Sequence, residues 1–354
     1  MSLPRYDVSK TYQWNYDHPP DPLLTKELQE WPLPGNWSLC GFELNSPLGV
    51  AAGPLLNGRW ILYYASLGFD ILTYKTVRSC ERSCYPLPNL LPVGSSPMVG
   101  NEQRVLDQQV MQDSWAISFG MPSQSPQVWR EDIRLTRDQL APHKLLAVSV
   151  VATVEPDWSI QQVADDYARC ACWAVEAGAD LIEVNLSCPN VATCDGQLYQ
   201  QPKDAAVVSA CVKQAIGSTP LLAKIGFVPD DLAAVELLSS LSPHLDALTM
   251  VNGLATRVMG ADGKPRFDGQ IRGIGGGAIR KVSQKQVGRF QDLIRQHQFD
   301  VELVGCGGIS TPSDVQAMIA CGAQSVQLAT AAMLNPAIAK EIRREMSEAT
   351  DRTA

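Results

Sequence analysis

Eight short apolar runs, each closing on polar or glycine-rich residues and each separated from the next by helix-like sequence, predict an α/β protein closed as a TIM-type (β/α)8 barrel. The runs are continuous rather than alternating, as parallel strands covered on both faces require. They are LGVAAG (48–53), FDILTYK (69–75), KLLAVSVV (144–151), DLIEVNL (180–186), PLLAKIG (220–226), DALTMVN (246–252), VELVGCGG (301–308) and QSVQLAT (324–330).

The segments between them carry helix grammar. Ser159 and Gln162 stand at capping-box spacing, Ile160, Val163, Tyr167, Ala171 and Val175 share one face, and Gly178 stops the helix. Thr311 is an N-cap, Pro312 takes the first helical position, and Gly322 lies past the end. The helix–glycine–strand phrase recurs as ASLGFDILTYK, VEAGADLIEVN and IACGAQSVQLA at unequal intervals, which fits a shared βα unit and not a solenoid. Two excursions, 76–143 after the second strand and 253–277 after the sixth, are too long for ordinary connections and are expected to arch over one mouth. The expected organisation is an N-terminal extension over 1–40, a single barrel domain over 41–347 and a C-terminal tail over 348–354.

With 354 residues, 45% of them apolar, the chain can bury a sizeable core. Its 29 basic against 37 acidic residues give a net charge of −8. No basic cluster tracks a nucleic-acid backbone or an anionic membrane, and no run of about 18 apolar residues suits a bilayer. A cytoplasmic protein without nucleic-acid or membrane partners is expected. Ten cysteines without a regular framework read as thiols rather than disulfides, and the pairs Cys80/Cys84 and Cys170/Cys172 lack second partners at zinc spacing, so no metal is expected.

In a β/α barrel the carboxyl ends of the strands converge on one mouth. Lys75, Ser149, Asn185 to Asn190, Lys224, Asn252, Gly305 to Gly308 and Ala329 to Ala331 all fall at such ends. Two lysines, three asparagines and a thiol meeting there point to chemistry more strongly than any one of them does. The glycine-bearing loops GCGGIS and RGIGGGAIR, with LATAA after the last strand, expose backbone N–H groups and suit a phosphate-bearing ligand.

From Leu44 to Met333 the sequence resembles the dihydroorotate dehydrogenase family of FMN-dependent barrels. NLSCPN is the most specific motif, with SPLGVAAGP, YKTV, LAKIG, VNG, GIGGGAIR, VGCGGI and LATA in the expected order. The resemblance implies an FMN-dependent oxidoreductase acting on the CH–CH bond of a dihydropyrimidine, with dihydroorotate to orotate in pyrimidine biosynthesis as the leading case. It implies that the flavin is held by positions matching Ala51, Ala52, Gly53, Lys75, Thr76, Ser149, Asn185 and Lys224, and its phosphate by Gly276, Gly307, Gly308, Ala329 and Thr330. It places the catalytic base at Cys188, as in cysteine-type members of the soluble, class 1-like branch, and substrate contacts at Lys75, Ser187, Asn190 and Asn252. An electron acceptor that the residues do not identify completes the reaction, and a homodimer is compatible with the resemblance.

The residue types suit that chemistry. One group must take a proton beside a carbonyl while the adjacent carbon gives up hydride, and a thiol of pKa about 8.5 needs neighbouring donors or cations to act as base. Asparagine amides donate and accept at once, which matches an imide edge. The family pattern is broken at three places: Ile117 and Ser123 stand where it has asparagines, and Gly253 where it has a hydroxyl. An intact flavin site with a divergent substrate site is therefore expected. Two other readings of the same barrel are a Schiff-base aldolase using Lys75 or Lys224, and a flavin- or phosphate-binding barrel without turnover.

Overall fold

A computed structural model of the chain describes residues 3–22, 33–187 and 194–351. Eight parallel strands close into a barrel: β1 (Leu48–Val50), β2 (Ile71–Val77), β3 (Leu145–Val150), β4 (Leu181–Asn185), β5 (Leu221–Lys224), β6 (Ala247–Met250), β7 (Glu302–Cys306) and β8 (Ser325–Leu328). They pair in chain order, and β8 returns to β1 through Val326 opposite Leu48. Each of the eight apolar runs supplies one barrel strand.

The outer layer comprises α1 (Gly58–Ser66), α2 (Pro126–Gln139), α3 (Ile160–Glu176), α4 (Pro202–Ile216), α5 (Asp231–Leu241), α6 (Arg280–His297), α7 (Pro312–Ala320) and α8 (Ile338–Asp351). The capping box at Ser159 and Gln162 forms as expected, and Thr311 caps α7 with Asp314 completing a second box. On α3 the buried stripe includes Val163, Tyr167 and Ala171, but Ile160 and Val175 are only half-buried. The covered face is centred instead on Ala164, Ala168, Ala171 and Ala174, small residues that admit close neighbours. The glycines of the recurring phrase, Gly68, Gly178 and Gly322, have φ of +97°, +107° and +105°. That left-handed turn ends a helix and aims the chain into the next strand, a conformation that side-chain-bearing residues resist.

The bottom of the barrel is closed by a hairpin, Trp37–Leu39 with Phe42–Leu44, whose Leu39 and Leu44 pack against Ile71, Leu145, Ala147, Leu181, Leu222, Ala247 and Val304. Nearby, Arg343 of α8 donates to Asp70 (2.5 Å) and Ser46 (2.7 Å), while Lys144 Nζ lies 2.8 Å from the same Asp70, fastening the last helix to β2 and β3.

At the other end the two excursions join. Leu90–Pro92, Ser114–Ile117, Ile271–Gly276, Leu254–Met259 and Arg104–Leu106 form one five-stranded sheet in that order. Ile117 pairs antiparallel with Gly273, so a strand of the first excursion lies directly against one from the second. A short helix, Thr330–Leu334, follows β8.

Candidate active site

Strand register fixes which side chains enter the barrel. Side chains alternate along a strand, and residues paired across parallel strands share a face. Ile71, Leu145, Ala147, Leu181, Leu222, Ala247 and Val304 form the floor; two residues or more further along the same strands, Thr73 and Lys75, Ser149, Glu183 and Asn185, Lys224, Thr249 and Cys306 face inward above it. The interior thus changes from apolar to polar towards the carboxyl ends. All of these upper residues are at least nine-tenths buried.

The polar layer is hydrogen-bonded across strands. Thr76 Oγ1 and Ser149 Oγ are 3.1 Å apart. Lys224 Nζ donates to Gln327 Oε1 (3.0 Å), and Gln327 Nε2 donates to Thr73 Oγ1 (3.1 Å) and Glu183 Oε2 (3.3 Å). Glu183 Oε1 lies 4.0 Å from Lys224 Nζ. Asn185 Oδ1 accepts from Ser187 N–H (3.2 Å), Ser187 Oγ donates to the Lys224 carbonyl (3.2 Å), and Asn252 Nδ2 donates to the Ser187 carbonyl. Together these bonds fix the exit of β4, β5 and β6 relative to one another. Ala51 and Ala52 are buried immediately beyond β1, with Gly53 beside them; Ala51 N–H donates to the Leu328 carbonyl (3.0 Å), and Lys75 N–H to the Leu55 carbonyl (3.0 Å).

Beside this layer lies a cavity of about 300 Å³ lined by Asn252, Gly275 to Gly277, Cys306 to Ser310 and Gln327 to Ala331, with Gln112, Asp113 and Ile117 of the first excursion and Glu341 of α8. Five glycines bring backbone to its wall, alongside the apolar side chains of Ile279, Ile309, Leu334 and Ile338. Gly276, Gly307 and Gly308 have φ of +98°, +117° and +76°, and a Cβ on Gly308 would come within 2.6 Å of Arg280 Cβ. A Cβ on Gly276 would overlap the Asp113 carbonyl oxygen. Such a cradle, with the Thr330 hydroxyl and Gln327 amide at hand, suits a phosphate-bearing ligand. The two carboxylates in the wall are already engaged: Asp113 accepts from Ser114 Oγ (2.7 Å) and Glu341 from Asn335 Nδ2 (2.8 Å).

The candidates are therefore brought together in two adjoining groups. Gly276, Gly307, Gly308, Ala329, Thr330 and Asn252 line the cavity; Ala51, Ala52, Gly53, Lys75, Thr76, Ser149, Asn185, Ser187 and Lys224 stand at the same barrel end, joined to it through Gln327. Cys188 and Asn190 lie outside the described residues. Ile117 reaches the cavity, its Cδ1 within 3.2 Å of where a Gly275 Cβ would stand. Ser123 does not: its hydroxyl accepts from Arg78 N–H (3.1 Å) and donates to the Gln124 carbonyl (2.9 Å). A Cβ on Gly253 would stand 3.1 Å from the Ile274 carbonyl oxygen of the excursion sheet, so a hydroxyl residue there would be crowded.

Glu183, Gln327 and Cys306 were not singled out from sequence. The available signal was parity: Glu183 is two residues before Asn185 and Gln327 two before Ala329, on the inward face. Burial pushes the Cys306 thiol up in pKa, Glu183 adds to that and Lys224 opposes it. Burial likewise raises Cys84, in the first excursion, to about 11 against the pull of Lys75. Both sulfurs are thus held as neutral thiols.

Fold and site define a β/α-barrel protein with a glycine-bearing cavity next to a buried ring of lysines, amides and hydroxyls. A profile for dihydroorotate dehydrogenase matches residues 36–349, and the chain belongs to that family. A dihydroorotate dehydrogenase of Dictyostelium discoideum is 30% identical over 360 residues, covering 96% of each chain. The catalytic subunit of a dihydroorotate dehydrogenase B (NAD(+)) of Staphylococcus carnosus (strain TM300) is 32% identical over 192 residues, which is 54% of this chain and 60% of that one. Among solved structures, DHODH from Eimeria tenella, crystallised in complex with ferulenol, aligns with a TM-score of 0.75 at 18% identity, covering 97% of this chain and 90% of that one; this likeness concerns the fold.

Proposed function

We propose that the protein binds FMN across the barrel mouth and oxidises dihydroorotate to orotate. The observation that carries this reading is the junction of a glycine-walled cavity with the buried Lys75, Lys224 and amide layer, a combination that suits a phosphate at one end and an electron-rich heterocycle at the other. FMN, when bound, supplies the hydride acceptor.

The chain's own groups do the rest. Gly276, Gly307, Gly308, Ala329 and Thr330 hold the phosphate. Lys224 and Lys75 would supply positive charge beside the bound cofactor, which would favour its reduced, more negative form. Cys188 takes the proton beside the substrate carbonyl, and Ser187, Asn190 and Asn252 orient the heterocycle. The excursion sheet borders the cavity through Ile117, Gly275 and Gly276, where it would limit water around a bound ligand and so strengthen these interactions. A Schiff-base reaction at Lys224 is disfavoured because its Nζ is already engaged inside the barrel, donating to Gln327 Oε1 at 3.0 Å with Glu183 Oε1 4.0 Å away.

Ile117 supports a second reading. It stands where the family pattern has an asparagine, and an aliphatic side chain against a polar substrate edge would leave one hydrogen bond unmade, at a cost of about 1–3 kcal/mol. A dihydropyrimidine with a less polar edge would avoid that cost. Anaerobic mixing of the FMN-loaded protein with dihydroorotate, and separately with 5,6-dihydrouracil, decides the matter through loss of flavin absorbance at about 450 nm. Bleaching by dihydroorotate is expected, slowed about a hundred- to ten-thousand-fold by Cys188→Ala with FMN content unchanged. Bleaching by dihydrouracil alone would favour the second reading, and bleaching by neither would favour a binding protein without turnover.

A further inference from the structure

Glu183 is a carboxylate in the middle of an apolar barrel strand, fully buried, and one of its oxygens, Oε1, accepts no hydrogen bond among the described residues. Such a group is costly to bury, and packing gives no reason for a charge there. Its surroundings supply one. Oε2 accepts from the Gln327 amide nitrogen at 3.3 Å, while the Gln327 amide oxygen accepts from Lys224 Nζ at 3.0 Å. Reversing the amide would set oxygen against carboxylate and nitrogen against ammonium, so the two charges fix its orientation. Thr73 Oγ1, 3.1 Å from the same nitrogen, holds it from the β2 side. Gln327 also lines the glycine-walled cavity. The chain Glu183–Gln327–Lys224 therefore runs from the barrel interior to the wall of the candidate flavin site.

We infer that Glu183 is a positioning residue that sets the reduction potential of the bound flavin. This rests on the FMN reading above. Gln327 tethers the Lys224 ammonium. Glu183 orients that tether and, with its Oε1 only 4.0 Å from Nζ, offsets part of the positive potential that the ammonium projects into the cavity. Reduction adds negative charge to the flavin, which the ammonium favours and the carboxylate opposes. The carboxylate thus keeps reduced flavin from being held too tightly to pass its electrons on. No hydrogen-bond donor quenches Oε1 among the described residues, and little water reaches the strand, so the offset acts at short range in a medium of low polarity.

The test is the midpoint potential of FMN bound to the full chain, measured by dye equilibration in the parent, Glu183→Gln and Glu183→Asp, with the thermal midpoint recorded for each. Glu183→Gln keeps the shape and an acceptor for Gln327 but removes the charge. It is expected to strengthen binding of reduced relative to oxidised FMN at least tenfold, an upward shift of about 30 mV for a two-electron couple. Glu183→Asp keeps the charge but withdraws it by one methylene, and should fall between the two. An unchanged or lowered potential in Glu183→Gln, even with a lowered thermal midpoint, would make the residue merely structural and overturn the inference. If Glu183→Gln does not retain FMN, an unchanged or lowered potential in Glu183→Asp overturns it equally. A parent that binds no FMN removes the flavin reading, and this inference with it; a parent that binds FMN and a variant that does not shift removes the inference alone.

Discussion

The two ends of the barrel interior are made by the same eight strands and are chemically opposite. At the floor, Leu145, Leu181, Leu222 and Val304 meet Leu39 and Leu44 of the hairpin in a dry aliphatic layer. One or two inward positions further along, the strands present Lys75, Ser149, Glu183, Asn185 and Lys224, all buried, and held by hydrogen bonds rather than by packing alone. A uniform apolar filling would give a more stable cylinder, since buried ionic groups seldom outdo hydrophobic ones of similar volume. The contrast indicates that the floor holds the strands in register while the upper layer buries polar groups for which packing alone gives no reason.

Three substitutions break or sharpen that contrast. The largest effect is expected at the floor. Leu222→Ala, in a fully packed position, should lower unfolding stability by about 2–5 kcal/mol in urea titrations, with FMN affinity unchanged in the folded protein. If flavin binding fell in parallel, the two ends would not be separable.

A smaller stability loss with a larger ligand effect is expected at the top. Gly276 has φ +98°, and an added Cβ would overlap the Asp113 carbonyl. Gly276→Ala should cost about 1–3 kcal/mol through backbone strain. It should also release FMN, seen as recovery of free-flavin fluorescence on dilution, because the same displacement moves the cavity wall.

The smallest effect concerns the rim that joins the glycine loops. Asp314 Oδ2 accepts from the Ser310 and Thr311 N–H groups, both at 3.0 Å, and Asp314 Oδ1 accepts from Arg280 Nη1 at 3.0 Å, tying α7 to the start of α6. Burial alone would raise this carboxyl, but the Ser310, Thr311 and Arg280 donors outweigh it and hold it below its ordinary value of 3.8. Between the lowered folded value and 3.8 the unfolded chain binds more protons, so the contribution is present above pH 3.8 and is lost as pH falls through the folded value. Asp314→Asn should therefore cost about 1 kcal/mol near neutrality, a capping-sized effect. The gap between variant and parent should close in acid unfolding curves. A gap constant with pH would show that the carboxylate's charge contributes nothing there.

Much of this architecture was legible in the sequence. Every barrel strand was, because a strand buried on both faces is a continuous apolar run, and helix ends were, because Ser159, Thr311, Gly178 and Gly322 act on backbone groups only a few residues away. The positions at the strand ends followed from topology alone, since parallel βα units deliver their carboxyl ends to one side. Ile117 lies in the wall of the glycine-bearing cavity, whereas Ser123 serves the backbone of its own excursion.

What the chain order could not determine was partnership between distant segments. Nothing local tells the 114–117 strand to pair with 271–276, or the 37–44 hairpin to plug the far end. Glu183, Gln327 and Lys224 become one network only when barrel closure sets β4, β5 and β8 around a shared interior. Propensity, capping and periodicity act over a few residues and are written in the sequence; register, enclosure and the field inside a low-polarity cavity arise from contacts over a hundred residues apart, and these the tertiary structure alone decides.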